Sequence, residues 1–225
     1  MISVIVPMFN SARYLAETLE AILAQTRPAD EIIAVDDGST DDSAAIADRY
    51  APDVRVLRVD HAGTAATRQR GYQAAHGGLI ACCDADDVWL PAKLERQADV
   101  LAEHPDVDAV GCRVDEFLSP DADPSAMPGR GIRLNHPAPL ASALLIRRTF
   151  LALVDGYRIT EVGVGEYVKW YAEALSAGLR TTILDEVLLR RRLHENNSSR
   201  SFADESDDYL RIIQDHIERQ RRASA

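Results

Sequence analysis

The sequence is short of the features that would make covalent staples or bulk electrostatics its first explanation. Only three of its 225 residues are cysteines. Cys82, Cys83 and Cys112 form no paired framework and show no zinc-ligand spacing, so neither a disulfide scaffold nor a structural zinc site is expected. The first residues, MISVIVPMFN, carry no basic leader region, and with free thiols this points to a reducing cytoplasm. No stretch approaches the roughly 20 apolar residues that span a bilayer, so at most peripheral membrane association is expected. Basic residues are the minority: 25 Lys+Arg against 36 Asp+Glu give a formal net charge of −11. Bulk attraction to a polyanion is excluded as a default, and no nucleic-acid partner is expected. No internal repeat or low-complexity tract is visible.

What is present is an alternation. Ile2 to Val6 is a β-branched run stopped by Pro7, the pattern of a buried parallel strand. Tyr14, Leu15, Leu19, Ile22 and Leu23 then recur at helical spacing. Strands follow at Glu31 to Val35, Val54 to Val59, Leu79 to Cys83 and Val107 to Val114. Helices are expected from Ser39 or Asp41 to Tyr50, from Thr64 to Ala75, and from Pro91 to Glu103. Strand and helix in turn imply right-handed crossovers and a mainly parallel sheet covered on both faces, an α/β fold. After Ser119 the chain is loop-like to His136, with strand candidates at Leu140 to Ile146, Thr181 to Leu184 and Val187 to Leu189. Helices are expected over Glu166 to Ala177, closed by Gly178, and over Asp204 to Arg222. No linker separates two domains.

Ligands of such sheets bind outside the carboxyl ends of the strands. Acidic residues stand at two of those ends. Asp36-Asp37 follows the second strand, and Asp84-Ala85-Asp86-Asp87 follows the fourth. Two carboxylates one residue apart suit a hard divalent cation, Mg²⁺ or Mn²⁺, that shares its shell with substrate phosphates. The plainer reading of Asp84 and Asp86 is a capping turn before Pro91. The apolar strand before them and the second acidic site favour the cation, because clustered carboxylates without one repel each other.

VIVPMFN, EIIAVDDGSTDDS, the T-R-Q-R-G stretch and GGLIACCDADDVWLPAKL together resemble the family-2 glycosyltransferases. The resemblance implies a GT-A fold: an α/β/α sandwich on a Rossmann-like, mainly parallel sheet, with a smaller acceptor-side subregion. It implies one domain over 1–225, with a nucleotide-sugar half at 1–115, an acceptor and catalytic half at 116–200, and a C-terminal helix at 201–225. Pro7, Phe9 and Asn10 then line the nucleotide, and Asp36 reads the base. Arg68 approaches the diphosphate, unless it is a solvated charge on an Ala-rich helix. Asp84 and Asp86 hold Mn²⁺ or Mg²⁺, Asp86 more directly.

In that family a Glu-Asp pair opens a helix after a Gly-Gly-Phe-like turn, and its Asp is the base. Val154-Asp155-Gly156-Tyr157 resembles the turn, but Gly165-Glu166-Tyr167 places Tyr167 where the Asp is expected. Either Glu166 is the base, or base catalysis is lost or supplied elsewhere. The run Arg190-Arg191-Arg192-Leu193-His194 resembles the family's basic segment after the last strands. There His194 approaches the metal, and Arg190 with Arg192, sharing one face of a strand, clamp the diphosphate.

The expected activity is transfer of a sugar from a nucleoside-diphosphate sugar to an acceptor hydroxyl, by inversion. UDP- or TDP-sugars lead and GDP-sugars remain open. The acceptor is a glycan, a lipid-linked sugar, a peptide or a small molecule. The alternative is a non-catalytic nucleotide-sugar-binding protein or partner subunit. A sugar-1-phosphate nucleotidyltransferase would need a Gly-rich basic loop after the first strand, which VIVPMFNSARYL lacks. The apolar face of the last helix packs on the domain or forms a homodimer.

Overall fold

A computed structural model describes residues 1–122, 132–138, 140–157, 166–195 and 197. Its first half follows the alternation: β1 Ile2–Met8, α1 Leu15–Leu23, β2 Glu31–Asp36, α2 Ser43–Asp48, β3 Val54–Arg58, α3 Thr64–Ala74 and β4 Leu79–Cys82. Then come β5 Val88–Trp89, α4 Lys93–Glu103, β6 Ala109–Leu118, β7 His136–Pro137, β8 Leu145–Arg147, α5 Arg148–Leu153, α6 Glu166–Ser176 and β9 Thr181–Leu193. The helix expected over 204–222, and the homodimer face it was to offer, lie outside the described residues.

One sheet runs β3-β2-β1-β4-β8-β6-β9-β5, with β7 paired to β6. β3, β2, β1 and β4 are parallel neighbours, as right-handed crossovers require. The second half is mixed. β8 inserts antiparallel between β4 and β6, while β9 runs parallel to β6. The fifth expected strand, now β6, therefore does not sit beside the fourth. Three-residue β8 separates them; it is the end of the strand expected over Leu140 to Ile146, whose first part, Ala141–Ala143, is a 3-10 turn instead. The two short strands expected near 181–189 are one strand, β9, whose register against β6 shifts near Arg113. That irregularity breaks the alternation the sequence shows.

Strand residues alternate between two cores. Val4, Val6, Ile32 and Ala34 bury with Leu15, Leu19 and Ile22 of α1, Ile46 of α2 and Leu94 of α4. Ile5, Ile33, Val35 and Ile80 bury with Phe150 of α5 and Trp170 and Ala174 of α6. The period of two along each strand thus builds an α/β/α sandwich. α3 lies on the second face at very short range: a Cβ built on Gly71 would meet Ile5 Cγ2 at 2.3 Å. Glycine there lets the helix press onto β1 and carry Arg68 to the strand ends.

Two consecutive arginines close other helices. Arg147 donates from Nε to Val107 O at 2.8 Å and also binds Leu101 O at the end of α4. Arg148 donates from Nε to Gly77 O at 2.7 Å and also binds Ala75 O after α3. Cations on the last carbonyls complement the helix dipoles.

At the sheet's amino ends, Glu31 makes four contacts to three residues. It accepts from Ser3 Oγ at 2.6 Å, His76 N–H at 2.9 Å and Arg55 Nη2 at 3.1 Å, and lies 2.9 Å from His76 Nδ1. Burial alone would raise its pKa, but the bonds from Ser3 and His76 outweigh it and hold the carboxyl below its ordinary value of 4.5. A depressed folded pKa contributes stability above the unfolded value and loses it as pH falls through the folded one. Glu31→Ala is therefore expected to cost about 2 kcal/mol at pH 7. Urea unfolding at pH 7 and pH 3 should show the gap to wild type shrinking at the lower pH. A gap that does not depend on pH would mean that Glu31 acts only by packing.

Candidate functional site

β1 and β4 are adjacent parallel strands, so their carboxyl ends deliver Pro7 to Asn10 and Asp84 to Asp87 to one place. There they line a cavity of about 300 Å³ with Arg13, Tyr14, Asp37, Thr64, Thr67, Arg68, Arg191, His194 and Asn197. A second cavity of about 600 Å³, lined by Asp36, Gly38, Arg58, His61 and Arg70 among others, shares Asp37 and Thr67 with the first. These volumes lie in the range of small-molecule sites.

The loop after β1 is held by the turn after β2. Asn10, in the left-handed region at φ 48°, donates its N–H to Ser39 Oγ at 3.0 Å and accepts from Thr40 N–H at 2.8 Å. Phe9 is exposed and stacks on His61 with ring centroids 4.3 Å apart. Asp37 is consumed structurally: its two oxygens accept Ala62 N–H at 2.9 Å and Gly63 N–H at 3.0 Å. Asp36 lines only the second cavity and accepts Ser39 N–H at 3.2 Å.

Asp84 and Asp86 of the acidic turn face different partners. Asp84 Oδ1 accepts from Arg68 Nη2 at 2.7 Å. Burial disfavours the Arg68 cation, yet the Asp84 carboxylate more than offsets it and holds the guanidinium above its ordinary pKa. Arg68 is thus a buried, paired cation and not a solvated one. Asp86 Oδ2 lies 2.9 Å from His194 Nε2 and accepts from Asn197 Nδ2 at 3.1 Å. His194 in turn donates its N–H to Asn197 Oδ1 at 2.6 Å and packs its ring 4.7 Å from that of Tyr14. Asp87 is buried, and burial together with Asp86 and Asp84 pushes its carboxyl well above the usual range. Among the described residues no three His, Cys, Asp or Glu side chains converge as a preformed metal cage. Asp86 and His194 converge, while Asp84 is turned to Arg68.

The basic run alternates as a strand should, but with its faces assigned the other way round. Arg190 and Arg192 share a face, both lying over the Phe117 ring at 4.4 and 4.7 Å. Arg190 is exposed and stands outside the cavity. Arg192 is buried behind the acidic turn, donating to Asp86 O at 3.1 Å and pairing with Glu17. Arg191, from the opposite face, lines the cavity and is steadied 3.4 Å from the buried Glu116. Glu166 opens α6 and lines neither cavity; its Oε2 accepts at 3.2 Å the N–H of Ala65, the residue after cavity-lining Thr64. Tyr167 packs into the second core against Trp170, and it holds no place open for a carboxylate. The three thiols are buried, and burial pushes that of Cys82 up to about 11, which removes it as a nucleophile.

Ser142 escaped the sequence reading. Its Oγ accepts Asp84 N–H at 2.9 Å, its hydroxyl bonds the Asp87 carboxyl, and its carbonyl accepts from Trp89 Nε1 at 3.0 Å. A lone serine 58 residues from its partner leaves no local signal. Ser142→Ala strands the Asp84 N–H and the buried Asp87 carboxyl, and is expected to lower stability by about 2 kcal/mol in chemical denaturation. A loss within 0.5 kcal/mol would mean that water replaces the hydroxyl.

A half-parallel, half-mixed sheet with an acidic turn at its central carboxyl ends is the GT-A class of glycosyltransferase fold. Two solved structures share it. TarS of S. aureus, residues 1–349, in complex with UDP-GlcNAc, superposes with a TM-score of 0.72 at 22% identity, covering 88% of this chain and 60% of that one. The mannosyltransferase PcManGT from Pyrobaculum calidifontis, in complex with GDP-Man and Mn²⁺, superposes at 0.65 with 23% identity, covering 88% and 58%. Residues 3–154 match the profile of Glycosyl transferase family 2, and the chain belongs to that family. A curated relative, the uncharacterized glycosyltransferase YibD of Escherichia coli K12, is 31% identical over 219 residues, 88% of this chain. The chain spans 63% of YibD's length. Among the described residues no helix is long and apolar enough to cross a membrane.

Proposed function

We propose that this protein transfers a sugar from a nucleoside-diphosphate sugar to an acceptor hydroxyl, with a divalent cation and inversion at the anomeric carbon. The observation that carries the reading is the composition of one cavity: Asp86 and His194 converge at 2.9 Å, with Arg68 and Arg191 on its walls. A carboxylate beside an imidazole fits the softer Mn²⁺ better than Mg²⁺, which keeps to oxygen ligands and would lean on Asp86 and Asp84. Asp86 and His194 would hold the ion, with Asp84 beside them. When bound it neutralises charge on the departing diphosphate.

The chain's own residues supply the rest. Arg191, fixed by buried Glu116, places a guanidinium against the diphosphate. Arg192 braces the acidic turn from behind and does not clamp the substrate. Phe9 offers an apolar face to the nucleoside, and Asp36 reads a base N–H. This suits a uracil or thymine donor first and guanine second, in line with neighbours that bind UDP-GlcNAc and GDP-Man. Glu166 takes the proton of the acceptor hydroxyl. A carboxylate has about four acceptor sites, so the bond from Ala65 N–H leaves others free to meet the acceptor hydroxyl. The cation also gives the chain's acidity a local purpose, since it makes an anionic ligand welcome among the aspartates at the strand ends.

A thermal-shift panel tests the donor site. UDP, TDP, GDP and their sugars are compared with and without Mn²⁺. Stabilisation of several degrees by one base series, present only with metal, is expected at ligand well above its Kd. No shift with any nucleotide would sink the reading.

A further inference from the structure

The helix α6 meets the donor-side helix α3 at two consecutive residues. Glu166 binds the N–H of Ala65, as above. One residue on, the Tyr167 ring lies under the Arg68 guanidinium, with Cζ 5.6 Å from the ring centroid. Arg68 is buried and its Nη2 is committed to Asp84, but its Nε, also buried, meets no hydrogen-bond acceptor among the described residues. One carboxylate and one aromatic face therefore hold this cation. The ring cannot drift. It stacks on Trp170 at 5.3 Å and Tyr171 at 6.4 Å, and Trp170 is pinned by its Nε1 donating to Gly156 O at 2.8 Å.

We infer that Tyr167 is a positioning residue for the donor site: its ring fixes Arg68 and, through Arg68, the Asp84 carboxylate, so that α6 sets the affinity for the nucleoside diphosphate. This rests on the nucleotide-sugar reading above. It accounts for the tyrosine at this position. An aspartate at 167 would stand beside Arg68 and compete with Asp84 for it, whereas a ring attracts the cation without carrying a charge of its own.

The test is a double-mutant cycle read by calorimetry. UDP and GDP, each with Mn²⁺, are titrated into the wild type, Tyr167→Phe, Tyr167→Leu, Arg68→Gln and the double variant Arg68→Gln/Tyr167→Leu. The expected result is binding by Tyr167→Phe within about 2-fold of wild type and weakening by about 10-fold in Tyr167→Leu. In the Arg68→Gln background the leucine should add nothing, because its effect passes through Arg68. A second measurement needs no ligand. The Arg68 Nε–Hε NMR resonance, assigned with Arg68→Lys, should show an aromatic ring-current shift in wild type and Tyr167→Phe and lose it in Tyr167→Leu. Equal affinity of Tyr167→Leu and wild type, or the same loss in both backgrounds, overturns the inference alone. A wild type that binds neither nucleotide overturns the donor-site reading and this inference with it.

Discussion

Asp86→Asn is expected to lower sugar transfer by about 10³-fold, the scale on which one preorganised electrostatic contact to a developing charge acts. The loss has two sources. The carboxylate proposed to hold the cation becomes neutral, and His194, packed against it at 2.9 Å, loses its charged partner. Asn keeps the volume and an acceptor oxygen for Asn197 Nδ2, so the fold should survive. Turnover is measured across a Mn²⁺ series, with nucleotide affinity measured alongside by calorimetry. Metal-dependent nucleotide binding that persists in the variant would remove Asp86 from the cation site.

Glu166→Gln separates chemistry from binding. The glutamine oxygen still accepts Ala65 N–H, so the start of α3 stays anchored. Only the basic group is removed. Turnover should fall by about 10²–10⁴-fold, the usual contribution of a positioned general base. The Kd for the nucleoside diphosphate should change by less than about 2-fold, because uniform binding is untouched. Near-normal turnover would place the base elsewhere. The same assay discriminates the alternative reading. A wild type that binds a nucleotide sugar with metal but turns over no acceptor is a sensor or partner subunit.

The parallel half of the sheet was legible because each element there is long enough to show a period. Ile2 to Val6 and Glu31 to Val35 read as buried runs, and their ends are where ligand chemistry belongs. The aspartates followed from that placement. The mixed half was legible only in part: the strands read at Val107 to Val114, Leu140 to Ile146 and Thr181 to Leu189 overlap β6, β8 and β9, and the helix read at Glu166 to Ala177 is α6, but the order of the strands in the sheet did not follow from the sequence. β5 and β7 have two residues each, and their identity as strands comes from neighbours distant in sequence. The arginine run shows the limit at the level of single residues. Alternation separated Arg191 from Arg190 and Arg192, but which face meets the cavity depends on how β9 registers against β6. Tyr167 read as a missing aspartate because sequence shows the absent group, whereas the structure shows the aromatic stack that took its place.

The pairing of Asp86 with His194 and Asn197 has a consequence for biosynthesis. Their separations are 108 and 111 residues, and Asp84 waits 58 residues for Ser142. A nascent chain emerging from the ribosome can pair β1 with β2 and β4 before these partners are synthesised. Its acidic turn then carries adjacent negative charges with no imidazole, no serine hydroxyl and no buried Arg192 behind it. Among the described residues, the ligand cavity is therefore completed only when 194–197 are made, after the strands of the parallel half. An early-terminated product holding only the first half would keep the acidic turn but lack His194, Asn197, Ser142 and Arg192 around it, and its second core would lack Phe150, Trp170 and Ala174.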